Sequence, residues 1–138
     1  MKRMILASHG MLAEGMANTA KMIIGDQVQF TTFSLLPGCH PDQIREQILD
    51  LVKKDPQDEF LVVSDLWGGS VNNSLLTLCT CSNVHLVAGM NLNLILQLAL
   101  NEGCDEQQIR SAIREAREGM VYCNDEFYKA VNDQDFFK

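Results

Sequence analysis

Three features predict an open α/β fold: a mostly parallel four-stranded sheet with helices on both faces, plus a short fifth edge strand. Apolar runs of strand length recur at residues 4–8, 28–33, 59–64 and 84–88, and segments with helical spacing lie between them. The third run, Glu59-Phe60-Leu61-Val62-Val63-Ser64, is unbroken by polar residues in its middle, as a strand covered on both faces requires. Polar and glycine residues close the first and third runs, and such strand ends are where α/β sheets hold ligands.

The elements follow in order. Residues 4–8 form the first strand, and Ser8-His9-Gly10 ends it. Residues 11–24 have helical spacing, with Leu12, Met16, Ala20 and Ile23 expected on the buried face and Gly25 as the stop. The second strand spans 28–33. Leu36-Pro37-Gly38-Cys39-His40-Pro41 is a turn, and Pro41 suits the first position of a helix. Ile44, Ile48, Leu51 and Val52 form that helix's apolar stripe, and Asp55-Pro56 ends it. After the third strand comes a helix from near Ser70 to about Cys79. The fourth strand, 84–88, is broken by Gly89, and residues 92–100 are apolar almost all round, so both faces call for cover. Asp105 and Gln108 make a capping-box-like start to a helix carrying Ile109, Ala112, Ile113 and Ala116, which Gly119 stops. Met120-Val121-Tyr122-Cys123 reads as the fifth strand. Residues 124–138 are acidic and carry Phe127, Tyr128, Phe136 and Phe137, with one or two helical turns expected. With 138 residues and no linker or repeat, residues 1–138 read as one domain.

Composition narrows the function. Eighteen acidic against eleven basic residues give a net charge of −7, which argues against nucleic acid and against anionic membrane surfaces. Cys39, Cys79, Cys81, Cys104 and Cys123 are odd in number and irregularly spaced, without a Cys-x-x-Cys, so reduced thiols are expected. Cys79-Thr-Cys81 reads as packing around a helix end rather than as a metal grip, and no cofactor is expected. No apolar stretch is long enough to span a bilayer and no leader is recognisable, so the expected location is the cytoplasm.

The candidate site joins the two strand ends. Strands one and three are commonly neighbours at the switch point of such a sheet, which would bring His9 and Asp65 together. A carboxylate accepting from one imidazole nitrogen fixes the tautomer and leaves the other nitrogen as a nucleophile. Helix-start amides at Gly10, Met11 and Leu12, and at Gly69, Ser70 and Val71, would hold an anion on the ring. Separately, a histidine or an aspartate at a strand end is more often a cap. The two together, each beside glycine, favour a site. His40 reads as a solvated turn residue and His85 as structural. Trp67 suits either packing or a protein contact.

Ser8-His9-Gly10, Leu36-Pro37-Gly38, Asp65-Leu66-Trp67-Gly68-Gly69-Ser70, Val87-Ala88-Gly89-Met90-Asn91-Leu92 and Arg117-Glu118-Gly119 resemble, in order, the IIA domain of the mannose-family sugar phosphotransferase system. The resemblance implies that His9 accepts a phosphoryl group on Nε2 from the phosphocarrier HPr and passes it to a separate IIB component. IIC and IID membrane subunits are involved only indirectly. It implies that Asp65 orients His9 and that Ser70 and the Trp67-Gly68-Gly69-Ser70-Val71 loop lie beside the phosphate. It also implies a homodimer exchanging the strand around 120–123, which would cover the 92–100 helix. The family's motif commonly continues Gly-Gly-Ser-Pro, where this chain has Val71. Two alternatives are the phosphoryl-transfer subunit of a dihydroxyacetone kinase and a non-catalytic phosphate- or nucleotide-binding module. The first is disfavoured by the Trp-Gly-Gly-Ser sequence, the second by the lack of a Gly-x-Gly-x-x-Gly loop.

Overall fold

A computed structural model describes residues 1–133; Phe136 and Phe137 lie outside them. Four strands form one parallel sheet in the order β2-β1-β3-β4. They are β1 (Lys2–His9), β2 (Phe30–Leu35), β3 (Glu59–Ser64) and β4 (Val84–Ala88). The helices are α1 (Leu12–Ile24), α2 (Pro41–Lys54), α3 (Ser70–Leu75), α4 (Leu92–Leu100), α5 (Glu106–Glu118) and α6 (Cys123–Asp133).

The sheet's two faces are read directly from residue alternation. Met4, Leu6, Leu61 and Val63 point to one side and pack with α1, α4 and α5. Ile5, Ala7, Phe60 and Val62 point to the other and pack with α2 and α3. All eight are buried, which is why β1 and β3 show no polar alternation. Because α1 covers one face and α2 the other, the chain reverses its winding at β1, and β1 and β3 become neighbours at the switch point.

Several elements differ from the sequence reading. On α1 the buried residues are Ala13, Ala20 and Ile24, while Leu12 and Ile23 face solvent. The Ser8 hydroxyl accepts from the Ala13 amide at 2.7 Å, which sets the helix's rotation and puts small alanines against the sheet. β2 runs two residues later than expected. A 3₁₀ turn at Gly25–Gln27 takes up the chain before it, and the Gly10 amide extends the pairing by donating to Leu35 O at 2.9 Å. The helix after β3 tightens into a 3₁₀ segment at Leu76–Thr80, which keeps Leu75 and Leu78 buried at a spacing of three.

The expected fifth strand does not form within this chain. Residues 120–122 have no regular structure, and α6 begins at Cys123. A strand at that position would need an edge to pair with, and none of the four strands takes it up. On α4, Leu94, Ile95, Leu98 and Ala99 are buried, Leu92 and Leu96 are half-buried and Leu100 is exposed, so its cover within one chain is incomplete. Among the described residues no helix is long and apolar enough to cross a membrane.

Candidate functional site

β1 ends at His9 and β3 ends one residue before Asp65, and the register pairs Ala7 with Ser64. Parallel pairing therefore delivers both side chains to the same rim. The distances follow: Asp65 Oδ2 lies 2.8 Å from His9 Nδ1, and the same oxygen accepts from the His9 backbone amide at 2.8 Å. Two donors from one residue pin a single carboxylate oxygen, which fixes the ring as well as the chain that carries it. Since a carboxylate only accepts, Nδ1 carries the proton, and Nε2 presents its lone pair. The Ser70 hydroxyl lies 2.9 Å from Nε2 and donates to it.

The burial is asymmetric. The His9 side chain is 48% exposed, while that of Asp65 is 10% exposed. Asp65 Oδ1 is buried and has no hydrogen-bond partner among the described residues, and both of the carboxylate's hydrogen bonds run from His9 to Oδ2. A shielded carboxylate behind an open imidazole is suited to holding a positive charge on the ring while the far nitrogen reacts with something large.

Local backbone geometry exposes this nitrogen. Gly10 has φ +55°, a left-handed turn that lets α1 leave β1 immediately, and a side chain there would point into open space. Gly68, at φ +83°, makes the equivalent turn ahead of α3. Gly69 is the N-cap of α3 and Ser70 its first residue. Two expected anion-binding amides are already engaged, Gly10 N–H with Leu35 O (2.9 Å) and Gly69 N–H with Leu66 O (3.0 Å). The other members of the expected set are the amides of Met11, Leu12, Ser70 and Val71. Val71 is buried in the first turn of α3, so the helix starts without a proline there.

Large apolar side chains surround this rim. Trp67 is 74% exposed, and Leu66, Met11, Leu12 and Leu36 are exposed as well. A shallow groove of about 480 Å³ is lined by Met11, Leu12, Gly15, Met16, Thr19 and Leu92. A pocket of about 440 Å³ sits at the opposite end of β1, among Lys2, Arg3, Gln27, Gln29 and Thr31, away from the imidazole.

The other histidines are placed elsewhere. His40 caps α2, its Nδ1 accepting from the Asp42 amide at 3.1 Å, and His85 Nε2 lies 3.2 Å from Glu59 Oε2. Cys79 is exposed and Cys81 half-buried, both as free thiols. Sequence reasoning missed two polar links beside the site: Asn72 to Ser64 across α3 and β3, and Ser74 to Asp42 across α3 and α2. The signal for the first was present, a polar residue inside the apolar spacing Val71, Leu75, Leu78.

The comparisons with known proteins bear on the family and the fold. A family model described as PTS system fructose IIA component, of the mannose-type EIIA family, matches residues 3–116. The mannose-specific EIIAB component of Escherichia coli K12 is 25% identical over 121 residues, covering 84% of this chain. This chain spans only 38% of that relative's length. A Klebsiella pneumoniae structure named as a phosphoenolpyruvate-dependent sugar phosphotransferase system permease is 33% identical, with a TM-score of 0.77 over 91% of this chain and 93% of that one. The mannose/sorbose-specific IIA subunit of Enterococcus faecalis shares the fold at 22% identity, with a TM-score of 0.79 over 88% of this chain and 95% of that one. With the family model matching residues 3–116 and solved relatives sharing the fold, the chain belongs to the mannose-type IIA family of the sugar phosphotransferase system.

Proposed function

We propose that this chain is a phosphoryl carrier, taking the group from phospho-HPr onto His9 Nε2 and passing it to a IIB component for sugar uptake. The observation that carries the reading is the line Asp65 Oδ2–Nδ1, Nε2–Ser70 Oγ, at 2.8 and 2.9 Å, on a half-exposed ring. The Nε2 lone pair attacks phosphorus as the donor's phosphorus–nitrogen bond breaks, and that bond's electrons return to the donor ring. Phosphorylation leaves the His9 ring cationic with its proton on Nδ1, and Asp65 stabilises that charge. The Ser70 hydroxyl turns from Nε2 to a phosphoryl oxygen. Transfer of this kind depends on in-line positioning and charge stabilisation, which these three side chains supply.

Partners meet at the apolar rim. Trp67, Leu66, Met11, Leu12 and Leu36 form a surface on which a protein bearing the donor or acceptor group can dock. The chain acts in the cytoplasm as a homodimer. That state is supported by Met120, Val121, Tyr122, Phe127, Tyr128 and Val131, which are all exposed in the single chain. Sedimentation equilibrium of the full chain tests the dimer, and a monomer at micromolar concentration counts against it.

The test of transfer uses labelled phosphoenolpyruvate, the kinase that phosphorylates HPr, and HPr. Wild type takes up an acid-labile, alkali-stable phosphate and His9→Ala takes up none. Full labelling of His9→Ala contradicts the reading.

A further inference from the structure

α3 buries Val71, Asn72 and Leu75. Asn72 is a polar residue in an otherwise apolar cluster, 1% exposed, and its Oδ1 has no partner among the described residues. Its Nδ2 donates to the hydroxyl of Ser64, itself fully buried, at 2.7 Å. A half-satisfied buried amide costs stability, so a well-packed apolar residue would hold the core at least as well. Local rules broken without an energetic gain cluster at functional sites.

The pair bridges the same two segments as the reactive line does. Ser64 is the last residue of β3 and Asp65 follows it; Ser70 and Asn72 share the first turn of α3. Asp65–His9–Ser70 spans these segments on the solvent side, and Ser64–Asn72 spans them inside the core. α3 has only six residues before the 3₁₀ segment Leu76–Thr80, and its N-cap, Gly69, has no side chain with which to cap it. Apolar contacts with Val71 and Leu75 are non-directional and, with Ser74 tying α3 to α2 rather than to β3, tolerate a small slide or roll of so short a helix against the strand. The amide–hydroxyl bond is directional and does not.

We propose that Asn72 and Ser64 are positioning residues: their buried hydrogen bond sets the height and rotation of α3 so that Ser70 Oγ meets His9 Nε2. Neither touches the phosphoryl group; both act through Ser70. The kinetic side of this inference rests on the carrier reading above, and the geometric side does not.

The test compares Asn72→Leu, Ser64→Ala, Ser70→Ala and the Ser70→Ala/Asn72→Leu double variant. Ser64→Ala breaks the same bond from the strand side and serves if Asn72→Leu does not fold. Single-turnover transfer from phospho-HPr should fall about tenfold in Asn72→Leu, as for loss of one aligned hydrogen bond. Melting temperature should be unchanged or raised. The double variant should be no slower than Ser70→Ala alone, a non-additivity that general destabilisation would not produce. Ring ¹⁵N spectra of unphosphorylated protein should show the His9 Nε2 signal of Asn72→Leu and Ser64→Ala moving towards that of Ser70→Ala. This readout needs no phosphate and separates failure of the inference from failure of the carrier reading. Wild-type transfer rates and an unmoved Nε2 signal in folded Asn72→Leu and Ser64→Ala would overturn it, as would equal slowing by Asn72→Leu with and without Ser70.

Discussion

Asp65 concentrates two hydrogen bonds on one oxygen, and that economy sets the tautomer of His9. Asp65→Asn keeps the shape, and with its amide oxygen held by the His9 backbone N–H it still accepts from Nδ1, but it removes the negative charge that would stabilise a cationic ring. Phosphoryl uptake should drop roughly 10- to 100-fold, the range for losing a charge-assisted bond, with little change in far-UV circular dichroism. Single-turnover labelling measures the drop; an unchanged rate would mean that Asp65 does not act on the ring. A second residue-scale expectation concerns the thiols. Burial pushes the Cys104 thiol pKa up, against a smaller downward pull from the Lys2 ammonium. A raised pKa means less thiolate at any given pH, so alkylation at pH 8 should reach exposed Cys39, Cys79 and Cys123 well before Cys104. Mass spectrometry of partially alkylated protein resolves the order.

Beside the apolar packing of α2 on α3, the Ser74 hydroxyl donates to Asp42 Oδ1 at the surface, with the Arg45 guanidinium 3.0 Å from the same oxygen. The Ser74 hydrogen bond, helped by the Arg45 and His40 charges, lowers the Asp42 pKa from its ordinary value. A carboxylate whose folded pKa is depressed adds stability above its unfolded pKa, and that stability fades as pH falls through the folded one. Ser74→Ala should therefore melt lower than wild type at pH 7, and the gap should narrow as pH falls below about 4, as Asp42 protonates first in the unfolded chain and only at lower pH in the folded one. Thermal melts from pH 3 to 7 check the slope; a constant gap would point to packing instead. Neither partner of this contact could be paired from the sequence, because 32 positions separate them and only the packing of α3 on α2 brings them together. The strands, by contrast, were legible because β1 and β3 are buried on both faces and so appear as unbroken apolar runs. β2 was displaced because its residues are all half-buried, which leaves a weaker pattern. The α1 face was misjudged for a related reason: spacing alone favours bulky Leu12 and Ile23, while close approach to the sheet favours Ala13 and Ala20.

At the scale of the whole molecule, the parallel sheet places the His9 imidazole, the Asp65 carboxylate and an apolar rim at one end of the strands. The His9–Asp65 pairing was readable in advance because it follows from topology. The identity of the amides around it was not, since Gly10 and Gly69 spend theirs on Leu35 and Leu66. Trp67 was ambiguous in the sequence and is mostly exposed in the fold, which favours a contact with partner proteins. Trp67→Ala should leave stability within about 0.5 kcal/mol of wild type, as for other exposed sites. It should nonetheless raise the KM for phospho-HPr about tenfold or more, as loss of a central aromatic anchor does. Titration of donor concentration in the transfer assay separates that effect from a loss of chemistry.

The most direct measurement of the central claim is a long-range ¹H–¹⁵N spectrum of the phosphorylated protein, ring nitrogens labelled, with phosphorus coupling recorded. The account predicts that the coupling falls on His9 Nε2 and that Nδ1 retains its proton. Phosphorus on Nδ1, or on the ring of His40 or His85, would contradict it.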